Sequence, residues 1–332
     1  MTIGAVIVNY NLAAQSIDAA LSLLGDAPDA KIVIVDNCST DNSRSYLEAV
    51  LSKRLEHASE SPQGKFPQPH YASLDQIQYC PDGRAPGHQD NIILLYADEN
   101  GGFGTGCNIG LSFLQEHFSP EMMILLNPDA VLAKGSIDAW RATLSDRQIG
   151  LCGASIIRFE DTNIMQAYGG AQLNPMTLLG RNIGAGQPLS PLPSRASVEA
   201  QMSYPLGAAM ALRADYYKKI GGFDERFFLY YEEADWARRG ASKFRVGWAR
   251  DAIVYHRHGA AAGSRLCHGG RSPASDYHMV RSRLRYALKW SPWAVPFLSV
   301  LAGVQALRRL LRGQRANAFA ILRAGVGFSL KA

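Results

Sequence analysis

KIVIVDNCSTDNS, residues 31–43, is the stretch on which the fold turns. Ile32, Val33, Ile34 and Val35 form an unbroken apolar, β-branched run. A strand with one wet face alternates apolar and polar residues, so an unbroken run belongs to a strand buried on both faces, as in a parallel sheet. The run stops at Asp36 and gives way to Asn, Ser, Thr and Asp, the residues of turns and helix caps. Helical spacing then follows over Asn42–Leu55. Strand, polar turn and helix in that order are the repeating unit of an α/β protein.

The same unit recurs on either side. Ile3–Val8 is a second apolar run, ending at Asn9 and followed by helical spacing over Ala13–Leu24. Asn91–Ala97, Met122–Leu126 and Ile149–Ile157 read as further strands, with helices over Gly104–Phe118 and Ala133–Leu144 between them. The expected class is α/β, with a mostly parallel sheet flanked by helices. Residues 57–90 are rich in Pro, Gly, Ser, Gln and His and read as a surface insertion. Residues 160–200 are a second irregular, Gly/Pro-rich stretch. Long loops of this kind within a compact domain commonly carry function.

Charge is unevenly distributed over the 332 residues. The net charge is +5, but residues 277–332 hold ten Lys/Arg and no Asp or Glu. The chain before them has 24 basic and 29 acidic residues and so carries −5. An acidic body argues against a nucleic-acid-coating protein. The five cysteines (Cys38, Cys80, Cys107, Cys152 and Cys267) show no CxxC spacing and no disulfide framework, which fits a reducing cytosol. MTIGAVIVNYN lacks the charged start and cleavage site of a signal peptide. Trp290–Leu307 is apolar and free of charge, but Pro292 and Pro296 interrupt it near its start. GGFGTGCNIG, residues 101–110, misses the GxGxxG dinucleotide spacing by one position, and no GxxxxGK[ST], HExxH or GxSxG occurs.

Ligands of open α/β sheets bind beyond the carboxyl ends of the strands. Three polar clusters fall there: Asn9-Tyr10-Asn11, Asp36 to Asp41, and Asn127-Pro128-Asp129. Each alone reads equally as turn and cap chemistry. Asp129 is placed to bind a divalent ion bridging diphosphate oxygens, and Asp36 to accept hydrogen bonds from a nucleobase. Further on, FFLYYEEADWARR over 227–239 sets Glu232 and Asp235 on one helical face and pairs Asp235 with Arg239 at i,i+4. Acids in a first helical turn complement its dipole, and beside aromatics they also make candidate general bases. His256 and His258 lie two apart on a strand and point the same way.

These segments together resemble the GT-A-fold glycosyltransferases of family 2, especially the bacterial rhamnosyltransferase-like branch. The carrying segments, in the family's order, are VIVNYN (6–11), IVIVDNCSTDNS (32–43), ENGGFGTGCNIGL (99–111), LLNPDAVL (125–132), GAAMALRADYYKKIGGFDERFFLYYEEADWARR (207–239) and HRHGAAAG (256–263). The resemblance implies a GT-A domain over residues 1–265, Rossmann-like, followed by a basic helical tail over 275–332. It implies that Asp36 recognises the donor base with Asn9 and Asn11 nearby, that Asp41 is a weaker candidate in that loop, and that Asn108 lines the nucleotide pocket. Asn127-Pro128-Asp129 is similar to the family's DxD variant, with Asp129 as the ligand of Mg²⁺ or Mn²⁺ and Asn127 in place of the first acid. His256 fits HxxGxSxG as a second metal or phosphate contact, with Ala261 replacing the usual Ser. Glu233 stands at the base position, Glu232 is a second candidate, and Asp235 and Arg239 are supporting residues.

The implied activity is inverting transfer from a nucleotide-sugar donor, with dTDP-L-rhamnose suggested by the branch and UDP- and GDP-sugars open. The acceptor would be a saccharide, plausibly on a polyprenyl diphosphate, with the 160–200 loop as its candidate site. A sugar nucleotidyltransferase is the alternative enzyme, but Asn9-Tyr10-Asn11-Leu12 replaces its Gly-rich basic loop. A non-catalytic nucleotide-sugar-binding module is the alternative class. In the tail, Val300, Val304, Leu307 and Leu311 share a helical face beside Arg308, Arg312 and Arg315, with Trp290 and Trp293 upstream. Residues 290–315 thus read either as a basic amphipathic helix on an anionic membrane surface or as a helix packed on the body. The first reading places the protein in the cytoplasm, peripherally bound to the inner face of the plasma membrane.

Overall fold

The computed structural model describes residues 2–63, 67–84, 86–189, 191–257 and 271–326. The first half follows the expected alternation. Strand β1 (Ile3–Asn9) leads to α1 (Ala13–Asp26), β2 (Lys31–Asp36) to α2 (Ser43–Leu51), and, after the short β3 (Tyr79–Cys80), β4 (Ile92–Tyr96) to α3 (Phe103–His117). Next come β5 (Met122–Leu126), β6 (Ala130–Leu132), α4 (Ser136–Leu144) and β7 (Ile149–Arg158). β1 pairs in parallel with β2 and β5, and β4 pairs in parallel with β2 and β3.

Burial explains the apolar runs. Ile32 and Ile34 enter the core under α1 and α4, whereas Val33 and Val35 enter the core under α3. All four are fully buried, and each such side chain contributes about 1.5–3 kcal/mol. The glycines of residues 101–110 serve packing: a Cβ at Gly106 would lie 2.6 Å from Val8 Cγ1, and one at Gly110 would meet Val6 closer still. Helix α3 therefore rests directly on β1.

The second half departs from simple alternation. Residues 160–200 are more ordered than their composition suggests, because they contain β8 (Met165–Tyr168), β9 (Gly170–Leu173), β10 (Gly180–Asn182) and α5 (Arg195–Glu199). β9, β10 and β11 (Tyr204–Pro205) make a small antiparallel sheet. β12 (Ala209–Arg213) then enters the main sheet antiparallel, between β5 and β7. It is followed by α6 (Ala214–Ile220), α7 (Glu232–Gly240) and β13 (Arg245–His256). β13 pairs in parallel with β7 and antiparallel with β6. The main sheet is ordered β3-β4-β2-β1-β5-β12-β7-β13-β6, with β8 alongside β7.

The 57–90 insertion lies along α1. Ala72 N–H donates to Leu21 O (3.0 Å), and buried His57 bridges Asp18 Oδ1 (2.8 Å) and the Tyr46 hydroxyl (3.0 Å). The tail consists of α8 (Pro273–Trp290), α9 (Val295–Leu311) and α10 (Arg315–Val326). The helix expected through Arg315 ends at Leu311, and Gly313, at φ +73°, turns the chain into α10. Leu298, Ala302 and Ala306 of α9 join an apolar cluster with Leu178, Phe227, Tyr231 and Tyr286.

Candidate active site

The ends of β1 and β2 form one wall. Asn9 and Asp36 are register partners, and both are buried. Asn9 Nδ2 donates to Asp36 Oδ1 (2.6 Å), which also accepts from Ser39 Oγ (2.5 Å). Asn9 Oδ1 in turn accepts from Ser16 Oγ (2.9 Å) and Leu12 N–H (3.2 Å), so the start of α1 fixes the carboxylate. Asn11, at φ +58°, accepts from Thr40 N–H (2.8 Å) and Asp41 N–H (3.3 Å) and shapes the loop around Asp36. Asp41 is exposed and accepts from Ser43 N–H (2.9 Å), at the start of α2. Asn37 ties this wall to the start of α3 through Asn100 Oδ1 (3.0 Å) and Gly102 O (3.1 Å).

Asn127-Pro128-Asp129 connects β5 to β6. Asp129 and His256, far apart in sequence, meet because β6 pairs with the end of β13, with Ala130 opposite His256. Both are buried, and Asp129 Oδ1 lies 3.2 Å from His256 Nε2. His256 Nδ1 lies 2.9 Å from Gln166 Oε1 on β8. With the amide oriented that way, Nδ1–H donates to Oε1, which turns Nε2 toward the carboxylate. A carboxylate and an imidazole oriented through its other nitrogen are a chemically fitting donor pair for Mg²⁺ or Mn²⁺. Among the described residues no group of three His, Cys, Asp or Glu side chains gathers as a metal site. Such an ion would take its remaining oxygens from water and phosphate, as Mg²⁺ commonly does. Gly259 and Ala261 of the expected HxxGxSxG pattern, together with Gly263 and His258, lie outside the described residues.

The third wall is the start of α7. Tyr230 and Tyr231 precede it at φ +68° and +70°, a region that costs a non-glycine residue about 1–2 kcal/mol. Hydrogen bonds hold them there: Tyr230 to Ser275 Oγ (2.9 Å), and Tyr231 to Leu178 O (2.6 Å). Glu232 is buried, and its Oε2 has no hydrogen-bond partner. Burial, then the neighbouring Glu233 charge, holds its carboxyl well above the usual range. Glu233 is half-buried, and its Oε1 accepts from Gly207 N–H (3.1 Å). Its carboxyl is also raised by burial, with backbone hydrogen bonds opposing the rise. The two acids thus differ in their partners: Glu233 Oε1 accepts a backbone N–H, whereas Glu232 Oε2 has none.

A short backbone path joins this wall to the Asn127 turn. Gly207 contacts Glu233, and the next residue, Ala208, accepts from Asn127 N–H (3.0 Å). Ala209 is then paired with Leu126. The antiparallel entry of β12 therefore carries the Glu233 contact to the end of β5.

Other expected site residues have structural partners. Asp235 is fully buried and binds Arg239 Nε (3.0 Å), Lys289 Nζ (2.7 Å) and Trp290 Nε1 (2.7 Å). Arg239 also donates to Ile220 O (2.8 Å) and Gly222 O. Asn108 bridges α3 to the 223–225 loop, donating to Phe223 O (3.0 Å) and Glu225 Oε1 (2.8 Å) and accepting from Phe223 N–H (2.7 Å). Gln166 and Gly207 were not singled out as site residues from sequence. Neither residue type carries a chemical signature, and only strand pairing brings them to the site.

No family model matches the chain. It is 24% identical over 150 residues to the low-salt glycan biosynthesis hexosyltransferase of Haloferax volcanii, a match covering 45% of this chain and 46% of that protein. It is 27% identical over 238 residues to the N-acetylglucosaminyl-diphospho-decaprenol L-rhamnosyltransferase of Mycobacterium tuberculosis, covering 66% of this chain and 74% of that protein. In sequence the chain is similar to these glycosyltransferases, and its fold is the GT-A fold. The resemblance to the rhamnosyltransferase-like branch of family 2 is borne out by the second relative. The fold matches that of this glycosyltransferase class too. A mannosyltransferase from Pyrobaculum calidifontis, solved with GDP-Man and Mn²⁺, superposes with a TM-score of 0.51 at 13% identity over 98% of this chain and 86% of that one. GalNAc-T7 with UDP, GalNAc and Mn²⁺ gives 0.53 at 15% identity over 77% of this chain and 44% of that one.

Proposed function

We propose that this glycosyltransferase transfers a sugar with inversion from a nucleotide-sugar donor, foremost dTDP-L-rhamnose, to a saccharide carried on a polyprenyl diphosphate. The relative named for rhamnosyl transfer to N-acetylglucosaminyl-diphospho-decaprenol supports donor and acceptor alike. The observation that carries the chemistry is the contact of Glu233 with Gly207 N–H, one residue from the backbone that holds the Asn127 turn.

In this mechanism Asp36, fixed by Asn9 and Ser39, receives the donor base. Glu233, as the carboxylate, takes the proton from the acceptor hydroxyl. That oxygen attacks the anomeric carbon from the face opposite the departing diphosphate. Glu232, held above the usual carboxyl range by burial, keeps its proton and stays out of the base role. Asp129 and His256 would hold Mg²⁺ or Mn²⁺, which would supply positive charge to the departing diphosphate. Asp235 and Arg239 brace α7.

The tail positions the enzyme at its acceptor. Trp293, Phe297, Val300, Val304, Leu307 and Leu311 are all exposed along one stripe of α9 and the turn before it. Arg308 and Arg312 lie beside that stripe, which suits an anionic bilayer surface on the cytoplasmic side. Pro292–Leu311 is also long and apolar enough to cross a membrane by length and composition, with 22% of its apolar window buried. Its interrupted start and flanking arginines favour a surface position.

The test is a panel of dTDP-, UDP- and GDP-sugars read by thermal shift with Mn²⁺, then by transfer. A donor that binds the native state raises the melting point. Glu233→Gln should keep the donor shift and lose transfer by at least about 10²-fold. Transfer above about a tenth of native activity would remove Glu233 from the base role.

A further inference from the structure

Arg283 on α8 is the one buried cation whose charge the described structure leaves without an acid. It is fully buried, and its Nη2 donates to Gln305 Oε1 (3.0 Å). Nε and Nη1 are buried with no hydrogen-bond partner. Other buried charges nearby are matched. Asp276 meets Arg309 Nε at 2.9 Å, and Asp235 meets Lys289 and Arg239. Burial makes its protonated form less favourable, the Tyr231 phenol opposes this, and a second cation, Arg271, adds to it. A buried guanidinium without a counter-charge is costly, and folded proteins seldom keep one without compensation.

The position of Arg283 points to what compensates it. Val280, Leu284 and Ala287 of its helix join the cluster of Tyr231, Leu178, Tyr286 and α9, and Arg283 itself interacts with Tyr231, the residue before Glu232. Its neighbour Ser282 donates to Leu229 O (2.8 Å) on the same turn. Tyr230, Tyr231 and Leu178, which flank this cluster, all have positive φ. A planar guanidinium with two unused N–H groups, joined by a second arginine, matches phosphate oxygens in geometry and charge.

We propose that Arg283, together with Arg271, receives the diphosphate of a substrate between the Leu178 segment, α8 and α9. The inference rests on the reading of this protein as a transferase handling diphosphate-bearing substrates. The diphosphate can come from a lipid-linked acceptor or from the nucleotide donor.

The test uses the full chain in EDTA, so that the Asp129 site makes no contribution, with inorganic pyrophosphate as the probe. Native protein should gain several degrees in Tm, and Asp129→Ala should gain as much. Arg283→Met should not respond, yet its own Tm should equal or exceed the native value, because an unmatched buried charge has been replaced by an apolar side chain of similar length. Arg271→Ala, an exposed change, should weaken pyrophosphate at least several-fold, and it remains informative if Arg283→Met fails to fold. Geranyl diphosphate and dTDP then separate the sources. An Arg283-dependent shift with geranyl diphosphate and not dTDP assigns the acceptor, and the reverse assigns the donor. Equal pyrophosphate shifts in native, Arg283→Met and Arg271→Ala proteins would overturn the inference. If transfer proceeds while those shifts stay equal, the anion site fails and the transferase reading stands. If no donor in the panel binds or reacts while the shifts depend on Arg283, the transferase reading fails and the anion site stands.

Discussion

Replacing Gly207 by alanine isolates the geometry of the proposed base. Gly207 N–H holds Glu233 Oε1 at 3.1 Å. A Cβ on residue 207 would sit 3.2 Å from Glu233 Cδ and Cγ, and closer still to Oε1, where ordinary contacts are 3.4–4 Å. The carboxylate must therefore retreat by several tenths of an ångström, toward ~1 Å at the oxygen. A misplacement near 1 Å at a reacting group costs ~10²-fold in rate. Folding should suffer little, because the obstructing atoms end a side chain and Gly207 is not among the positive-φ glycines. The expected result is a kcat lower by ~10–10²-fold, with donor-induced thermal shift intact and Tm within about 2 °C of native, the effect of well under 1 kcal/mol at this size. Glu233→Gln, measured alongside, sets the floor. Gly207→Ala with more than half of native kcat would refute the claim that this contact sets the base.

Other consequences are equally direct. Asp129→Ala should abolish the Mn²⁺-dependent part of the thermal shift given by a nucleoside diphosphate, and an unchanged shift would exclude Asp129 from the metal. Glu232 holds its proton above the ordinary Glu value of 4.5, whereas the unfolded chain releases it there, so native stability falls as pH rises beyond that value. Glu232→Gln should accordingly flatten the dependence, matching native Tm near pH 4 and exceeding it near pH 8; parallel profiles would contradict the assignment. Full-length protein should sediment with anionic vesicles at low salt, and Phe297→Asp with Leu307→Asp should release it. Equal sedimentation of native and doubly substituted protein would reduce α9 to a packing helix.

The α/β class and the parallel first half were legible because burial on both faces writes itself as unbroken runs such as Ile32–Val35. The strand-end acids were legible for a similar reason, since polar residues interrupt those runs where strands stop. Residues 160–200 were not, because glycine and proline mark strand ends and loops alike, and β8 to β10 are only three or four residues long. The pairing of β12 against β5 was also hidden: antiparallel entry leaves no local pattern, yet it brings Gly207 to Glu233. Asp235 and Asp129 are both buried acids in suggestive sequence. Only their partners, Lys289 and Trp290 for one and His256 for the other, tell a brace from a proposed metal ligand.

The bond of Asp235 to Lys289 and Trp290 bears on how such enzymes can be recombined. α8 is fastened to the helix that presents the proposed base, through an acid that has no access to solvent. The tail is therefore not an interchangeable cassette. A chimaera carrying another enzyme's C-terminal helices would need its own Lys and Trp at these positions, or Asp235 would remain buried with Arg239 as its only cation. The packing of the tail and the setting of the proposed base are thus constrained by the same few side chains.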